Sequence, residues 1–464
     1  MTHTSLQKEM FNEIKQKEIF EKAVNYAYDY MDNIPNRNVY PTEKAIKELS
    51  MFDEPLPENP NNADEILRLL SEHGSPATVT QTGGRYFGFV CGGAVPASLA
   101  AKWLADVWDQ NAAVYAMSPI ASKLEQVCEG WLKDIFHLPK ETVVGYVGGS
   151  SIATFCGLAA ARYHLLQKLG WDINQKGLFD APKLRVVLSE QAHGTVFKAL
   201  SLVGLGKEQM EIIPSDSQGR IDIKHLPELD SSTVLILQAG NVNSGAFDNF
   251  SALCEEANKV DTWVHIDGAF GLWAAASKKR AYLTKDIEKA DSWSVDGHKT
   301  LNAPYDSGVI MCRHREALVS AMHQSGAYFQ PSGHRDGMFF TPDMSRRARS
   351  VELWATLKYL GRSGVEALVD GMCERASFFA SELAKNGFRV LNDVVFNQVL
   401  VACDTPEETL STLRNIQSSG ILWCNGSSWM GEPVIRVSVS SWATTFEDIE
   451  VSVNAFISAR ESKL

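Results

Sequence analysis

A lysine directly after a histidine, between two strand-like segments, is the most chemically informative feature of this sequence. The stretch SVDGHKTLNAPYDSGV, residues 294–309, places His298 and Lys299 between the apolar runs ADSWSV and SGVIMC. Lysine is costly to bury as a cation and is seldom found in a protein core. Its position therefore needs a functional explanation, which depends on the elements around it.

Short runs rich in β-branched residues alternate with helical stretches from about residue 85 to residue 315. The runs are LRVVLSE, MEIIPS, TVLILQAG, TWVHID, SWSVDG and GVIMCR. This alternation predicts an α/β fold with a mainly parallel, doubly wound sheet. Ligands of such sheets bind outside the carboxyl ends of the strands, so we expect the chemistry just after these runs.

Three further strand ends carry residues suited to binding a small ligand. Asp267 follows TWVHI and is either a turn residue or a buried carboxylate that faces a cation. His193 follows LRVVLSE, where it can cap a helix or stack on an aromatic ligand. Gly149, Ser150 and Ser151 follow TVVGYV and precede a helix, which suits either a serine cap or a phosphate site.

One cofactor uses an amine, an acid, a stacking ring and an anion cradle together, and that cofactor is pyridoxal phosphate. Lys299 would form the Schiff base with its aldehyde. Asp267 would keep the pyridine nitrogen protonated, so that the ring accepts electrons. His193 would stack on the ring, and the turn at 149–151 would hold the phosphate.

These residues resemble the motifs of the group II pyridoxal-phosphate-dependent amino-acid decarboxylases, the relatives of the aromatic amino-acid and glutamate decarboxylases. The resemblance covers the chain from about residue 20 to its end. His298 and Lys299 match the family's histidine–lysine pair, and HIDGA, around Asp267, is similar to its H-V-D-A-A motif. The resemblance implies the aspartate-aminotransferase-like fold type I, with a mainly parallel seven-stranded sheet and a smaller C-terminal α+β domain.

The resemblance also implies an activity, the decarboxylation of an L-amino acid to its amine and CO2. The family's decarboxylases return a proton to the α-carbon from a loop tyrosine, which matches Tyr328 in SGAYFQP. His298 is the other candidate for this proton transfer. Relatives with phenylalanine at the tyrosine position tend to form aldehydes instead.

This chain departs from the family pattern in three places. Asp296 stands where the family often has asparagine, and we expect it to make a different contact near the cofactor. The segment QAGNVNSGAFD replaces a threonine-rich one, so Asn243 or Asn241 is expected to contact the ring hydroxyl or the substrate carboxylate. Val90 and Cys91 replace bulky rings of the aromatic enzymes, so the substrate cannot be carried over.

The resemblance implies a homodimer with active sites near the subunit interface. Residues 1–84 are expected to form a helical arm that packs on the partner subunit, and Val39–Pro41 (VYP) lies within it. Residues 85–350 would form the large cofactor-binding domain. Residues 351–464 would form the small C-terminal domain.

Composition excludes several other classes of function. The net charge of the 464 residues is -12 and basic blocks are absent, so we expect no nucleic-acid partner and no binding to an anionic membrane. No apolar run approaches the ~18 residues of a membrane span. The eight cysteines are spread through apolar contexts without CxxC spacing, which favours a reduced cytoplasmic protein without a zinc site.

The sequence leaves the substrate and the reaction outcome open. Neither a basic nor an acidic cluster announces a charged substrate side chain, so a neutral apolar or aromatic amino acid is the default. Aldehyde formation, transamination and C–C bond cleavage are alternative reactions of the same cofactor. A non-enzymatic scaffold dimer is a further alternative, and the complete lysine, acid and histidine set argues against it.

Overall fold

A seven-stranded sheet forms the centre of the protein, in a computed structural model that describes residues 4–322 and 333–462. Its strands are β1 (Val143–Val147), β2 (Arg185–Ser189), β3 (Met210–Ile213), β4 (Thr233–Gln238), β5 (Trp263–Asp267), β6 (Ser292–Asp296) and β7 (Gly308–Cys312). The strand order is β1-β7-β6-β5-β4-β2-β3, and only β7 runs antiparallel to its neighbours. The predicted mainly parallel α/β sheet is confirmed.

The sheet is buried on both faces, because its strands are apolar at successive positions. In β4, Leu235 packs in the core on one face, whereas Val234 and Ile236 pack in the core on the other. Side chains alternate between the two faces of a strand, so a continuous apolar run fills both cores. The strands are thus held rigidly, which fixes the residues at their carboxyl ends.

Helices surround this sheet and make up the two ends of the chain. They are α1 (Ser5–Gln16), α2 (Glu18–Asn33), α3 (Glu43–Glu48), α4 (Ala63–Leu69), α5 (Pro96–Trp108), α6 (Pro119–Ile135), α7 (Ser150–Lys168), α8 (Ile173–Lys176), α9 (Gly194–Leu202), α10 (Phe250–Lys259), α11 (Arg315–Met322), α12 (Ser350–Lys385), α13 (Pro406–Ser419) and α14 (Phe446–Glu461). Helix α12 contains a break at Gly361, whose φ of 60° is not helical. Within residues 4–322 and 333–462, no helix is both long and apolar enough to cross a membrane.

A smaller antiparallel sheet lies in the C-terminal part of the chain, where a smaller α+β domain is expected. Its strands are β8 (Arg389–Val390), β9 (Gln398–Ala402), β10 (Asn425–Trp429) and β11 (Glu432–Ser438), in the order β10-β11-β9-β8. Helices α12, α13 and α14 pack on this sheet around one apolar core. Phe87 is fully buried in the same core, and its amide donates to the carbonyl of Trp423 at 2.7 Å. The chain near residue 87 is therefore anchored to the C-terminal part of the protein.

The two N-terminal helices have no buried core of their own. Neither α1 nor α2 contains a buried residue, although α1 carries Leu6, Met10 and Ile14 on one side. An apolar groove of about 920 Å³ lies beside α2 and α5, and Tyr26, Trp103 and Trp442 are among its lining residues. The apolar side of α1 and this groove are thus both exposed to solvent in the single chain.

Candidate active site

A cavity of about 440 Å³ opens at the carboxyl ends of the central strands. Its lining residues come from both sheets and from the loops between them. They are Phe89, Val90, Cys91, Gly148, Gly149, Ser150, Ser151, His193, Thr195, Gln238, Gly240, Val242, Asp267, Ala269, Phe270, Asp296, His298, Lys299, Tyr305 and Arg436. Eight of the residues proposed from the sequence therefore meet in one place: Gly149, Ser150, Ser151, His193, Asp267, Asp296, His298 and Lys299.

The glycine–serine turn lies between the end of β1 and the first residue of α7. Ser150 begins the helix, so its amide belongs to the group of helical N–H donors without an intrahelical acceptor. The turn is tightly packed, because a Cβ added to Gly308 would lie 2.4 Å from the Cα of Gly149. Helix dipole, amide and serine hydroxyl make this end of α7 suited to an anion.

Asp267 is the last residue of β5, and its carboxylate is buried in the cavity wall. Its Oδ1 accepts a hydrogen bond from the Ala269 amide at 3.2 Å. Burial raises the pKa of Asp267, whereas the positive charge of Lys299 and the nearby His193 act in the opposite direction. Few groups offset the cost of burying the negative charge of Asp267, so a cation that enters the cavity would stabilise this carboxylate.

His193 is both a helix cap and a cavity residue, so the two roles considered from the sequence coincide. Its Nδ1 accepts from the Thr195 amide at 3.3 Å at the start of α9 and lies 2.8 Å from the Thr195 hydroxyl. Because Nδ1 accepts, the neutral ring carries its hydrogen on Nε2. Burial lowers the pKa of His193, which favours this neutral form.

The loop that carries Lys299 is fixed by close backbone contacts. Asn302 donates from Nδ2 to the carbonyls of Lys299 and Ser440, at 3.0 and 2.9 Å, and thus ties the loop to the C-terminal region. Gly92 packs on the same loop, and a Cβ there would lie 2.2 Å from the carbonyl oxygen of Lys299. Only glycine permits this approach. The lysine is therefore held at the cavity by residues from three parts of the chain.

His298 lies beside Lys299, with its ring stacked on Tyr305 at a centroid distance of 4.3 Å. Its Nδ1 accepts from the Ser307 amide at 3.1 Å, so Nε2 carries the hydrogen in the neutral ring. This Nε2 lies 3.6 Å from Oδ2 of Asp296. Burial lowers the pKa of His298, which favours the neutral form of the ring.

Gln238 is a cavity residue that the sequence analysis missed. It is the last residue of β4 and is 4% exposed, and its Nε2 has no hydrogen-bond partner among the described residues. A buried amide donor without a protein acceptor is rare, and this one lines the cavity, so it is available to donate to a bound ligand. The signal was present in the sequence, because Gln238 is a polar residue that ends an apolar strand, as Asp267 is.

Arg436 is the second residue that was missed. It lies on β11 of the smaller sheet and lines the cavity from the side opposite the central strands. Its Nε is buried without an acceptor, and no carboxylate in the described ranges forms an ion pair with it. Burial lowers the pKa of Arg436, but arginine remains protonated in proteins. The cavity thus contains an unpaired cation.

Two residues proposed from the sequence are not among the cavity-lining residues. Asn243 is not part of the lining, and its Oδ1 accepts a hydrogen bond from the hydroxyl of Ser427 at 2.8 Å. Asn241 is buried within its own turn, where its Oδ1 accepts from the Asn243 amide at 2.9 Å. Tyr328 lies outside the described residues.

The cavity fits pyridoxal phosphate by the chemistry of its polar groups. Its polar residues include a lysine amine, an undercompensated buried carboxylate, an unsatisfied amide donor and an anion-binding helix end. Each corresponds to one substituent of the cofactor: the aldehyde, the ring nitrogen, the ring hydroxyl and the phosphate. The fit therefore rests on four separate groups.

The comparisons with known proteins agree with this interpretation. Residues 46–402 match the family described as pyridoxal-dependent decarboxylase conserved domain. The chain is 25% identical over 472 residues to an aromatic-L-amino-acid decarboxylase of Bacillus atrophaeus, with 96% of each chain covered. It is 25% identical over 415 residues to the acidic amino acid decarboxylase GADL1 of Mus musculus, which covers 84% of this chain and 72% of that protein.

The fold has equally extensive counterparts among solved structures. The crystal structure of Oryza sativa TDC with PLP and tryptamine superposes with a TM-score of 0.90 at 20% identity and covers 99% of both chains. This likeness confirms fold type I. The family match over most of the chain, the shared fold and the fit of the cavity together lead to one conclusion. The chain belongs to the pyridoxal-dependent decarboxylase family and is a pyridoxal-phosphate-dependent amino-acid decarboxylase.

Proposed function

We propose that this enzyme removes the α-carboxyl group of a neutral apolar or aromatic L-amino acid and releases the amine. The observation that carries the proposal is the unpaired guanidinium of Arg436 in a cavity with a largely apolar wall. The apolar side chains of this wall are Phe89, Val90, Val242, Phe270 and Tyr305. Every amino acid carries an α-carboxylate, and Arg436 is the cation that would bind it.

An acidic substrate side chain would need a second cation in the cavity. Of the other basic residues in the lining, Lys299 is assigned to the cofactor. Burial lowers the pKa of both His193 and His298, so these rings favour their neutral forms. The described part of the lining therefore supplies no second cationic group, which disfavours substrates with an acidic side chain.

The cofactor, when bound, supplies an electron-withdrawing ring that stabilises the carbanion left after CO2 departs. Lys299 would hold it covalently through the aldehyde carbon. Asp267 would keep the proton on the ring nitrogen, and that pyridinium would in turn compensate the buried carboxylate. His193 would pack on the ring face and fix its orientation. Gly149, Ser150 and Ser151 would bind the phosphate at the start of α7.

Gln238 is proposed to bind the ring hydroxyl in place of Asn243 or Asn241. The hydroxyl and the phosphate arm lie on opposite sides of the aldehyde carbon, so they face opposite directions along the sheet edge. The strand order puts β4 on one side of β5, and β6, β7 and β1 on the other. If the phosphate binds at the end of β1, the hydroxyl would point toward β4, where Nε2 of Gln238 has no hydrogen-bond partner among the described residues.

Two residues are candidates for returning a proton to the α-carbon. Tyr328 remains the candidate from the family resemblance. His298 is the second candidate, because its ring lines the cavity beside Lys299. Replacing Tyr328 with phenylalanine is expected to lower amine formation and raise aldehyde formation.

The proposal is tested by measuring CO2, amine, ammonia and peroxide released from a panel of L-amino acids. The panel contains aromatic, branched apolar and acidic members. We expect equal amounts of CO2 and amine from an aromatic or apolar member, and no ammonia or peroxide. Turnover restricted to acidic members would contradict the substrate class, and peroxide with aldehyde would indicate the alternative reaction.

Lys299→Ala is the matched loss-of-function control for this assay. The variant is expected to lose both turnover and the visible absorbance of the lysine-bound cofactor. Lys259→Ala changes an exposed lysine of α10 that pairs with Glu256, and it should retain both. Retention of activity and absorbance in Lys299→Ala would overturn the cofactor assignment.

We also propose that the enzyme is a homodimer in which residues 1–84 pack on the partner subunit. Helix α1 has no buried residue, and the groove beside α2 and α5 is large and apolar. We therefore expect both surfaces to be buried against the partner subunit. Residues 85–350 and 351–464 would be the large and small domains. The eight unpaired cysteines, seven of them buried, support a reducing compartment such as the cytoplasm.

A further inference from the structure

The carboxylate of Asp296 already occupies the anion-binding end of α7. Its Oδ1 accepts from the amide of Ser150 at 2.6 Å, and its Oδ2 accepts from the Ser150 hydroxyl at 2.7 Å. The same Oδ2 lies 3.0 Å from Nζ of Lys299. Asp296 is 1% exposed, so these contacts are not weakened by solvent. One acid thus binds both the first residue of α7 and the reactive lysine.

Only the side chain of Asp296 is free to leave this position. Its backbone is held in the sheet, where its amide donates to the Ala269 carbonyl at 2.9 Å and its carbonyl accepts from Nε1 of Trp273 at 2.9 Å. A rotation about the Cα–Cβ bond is therefore the available movement. It would release Ser150 and Lys299 together, since the same carboxylate binds both.

Two anions at one helix end repel each other. This step rests on the proposed function, in which the phosphate of the cofactor binds at the 149–151 turn. A phosphate and a buried carboxylate within a few ångströms interact unfavourably, because the low dielectric of the interior screens them poorly. Each anion would also compete for the same amide and hydroxyl of Ser150.

We propose that Asp296 is a resident anion of the phosphate site, which competes with the cofactor's phosphate for Ser150 and restrains the Lys299 amine. Arrival of the phosphate displaces the carboxylate from Ser150 and at the same time frees the amine. Asp296 is therefore a positioning residue that couples phosphate binding to the availability of Lys299. Asp296 also reduces the affinity that the phosphate group adds to cofactor binding.

The test compares the binding of pyridoxal phosphate and of pyridoxal to the cofactor-free protein. Both compounds carry the aldehyde, so the ratio of their dissociation constants isolates the phosphate contribution. In Asp296→Asn, the ratio is expected to shift in favour of pyridoxal phosphate by about tenfold or more, since the variant removes a negative charge that repels the phosphate. Asp296→Ser, which keeps an oxygen acceptor near Ser150, is a second variant with the same expectation.

Calorimetric titration with inorganic phosphate provides a readout that needs no lysine chemistry. Asp296→Asn should bind phosphate more tightly than the wild type. Asp291→Asn is the matched control, because Asp291 accepts from the Val264 amide at 2.7 Å and contacts His314 just before β6, far from its carboxyl end. That variant should leave both the ratio and phosphate binding unchanged.

If Asp296 only caps α7, Asp296→Asn and Asp296→Ser will lower the melting temperature without changing the ratio. That result overturns the proposal. A shift of the ratio in favour of pyridoxal, compared with the wild type, also overturns it. Failure of the proposed function is a separate outcome. In that case the wild type binds neither compound, or Lys299→Ala retains the absorbance of the lysine-bound cofactor.

Discussion

Gln238 and Asp267 stand side by side at the carboxyl ends of β4 and β5, where they are register partners in the parallel ladder. In the part of the chain that the structure describes, the Gln238 amide has no acceptor, and the neighbouring buried carboxylate of Asp267 accepts one hydrogen bond, from the Ala269 amide at 3.2 Å. A flat heteroaromatic ring with a protonated nitrogen and a neighbouring hydroxyl would satisfy both side chains. These two adjacent strand ends are therefore expected to contact one edge of the cofactor.

Gln238→Leu is expected to weaken binding of pyridoxal phosphate by about three- to tenfold, the usual contribution of one hydrogen bond. The change keeps the size of the side chain and removes the donor. Absorbance titration of the cofactor-free variant measures the effect. The matched control is a pyridoxal phosphate analogue without the 3-hydroxyl, which wild type and variant should bind equally. Equal weakening for both ligands would argue that Gln238 only shapes the cavity.

Arg436→Met is expected to lower kcat/KM by about 10- to 100-fold, because it removes a charged hydrogen-bond donor from the substrate carboxylate. The absorbance of the bound cofactor should remain, since Arg436 is not assigned to the cofactor. Arg389→Met changes an exposed arginine of β8 in the same sheet and should retain activity. Arg436→Lys should recover part of the loss. Unchanged kinetics in Arg436→Met would exclude it as the carboxylate partner.

Asp248 is expected to make the stability of the protein pH-dependent. Its buried carboxylate accepts from the amides of Ile221 and Gln238, at 2.8 and 2.7 Å, yet burial raises its pKa to about 6. An unfolded aspartate titrates near pH ~4. The native state therefore holds an extra proton between these values. The resulting stabilisation is complete below pH ~4 and is lost as the pH rises through about 6, a total of about 3 kcal/mol.

Asp248→Asn removes this titration. As the pH rises from ~4.5 to ~7.5, a range that spans the pKa shift of Asp248, the melting temperature of the wild type should fall relative to that of the variant. Differential scanning fluorimetry of the cofactor-loaded proteins measures the difference. Asp261→Asn, at an exposed aspartate that pairs with Lys168, should follow the wild-type profile. Parallel profiles for wild type and Asp248→Asn would contradict the prediction.

The apolar side of α1 is expected to lie in a subunit interface. Leu6, Met10 and Ile14 are exposed at four-residue spacing on one side of the helix. The double variant Met10→Glu with Ile14→Glu should shift the protein from dimer toward monomer in sedimentation velocity, because it buries two charges in an apolar contact.

The control for this experiment carries the same charge change on the other side of α1. Asn12→Glu with Gln16→Glu has the same four-residue spacing and alters two exposed polar residues. It should leave the sedimentation coefficient unchanged. A dimer that survives the Met10 and Ile14 changes would place the interface elsewhere.

Local sequence signals identified the central part of the site. Lys299, Asp267 and His193 each follow an apolar strand run, and the rule for parallel sheets brings such positions to one edge. The same reasoning predicted every strand of the central sheet and three of the four groups that fit pyridoxal phosphate, but it missed the amide of Gln238. These features depend on short-range patterns, because a strand and the turn after it are encoded by neighbouring residues.

Contacts between distant segments decided the rest. Asn243 and Gln238 both lie near the end of β4, yet a turn built on Asn241 directs Asn243 toward Ser427 and leaves Gln238 in the cavity. Arg436 reaches the cavity from a different sheet. Asp296 meets Ser150 across 146 residues. The sequence by itself determined which residue types stand at the strand ends. Only the tertiary structure decided which of their side chains form contacts, because a side chain's direction depends on the elements packed against it.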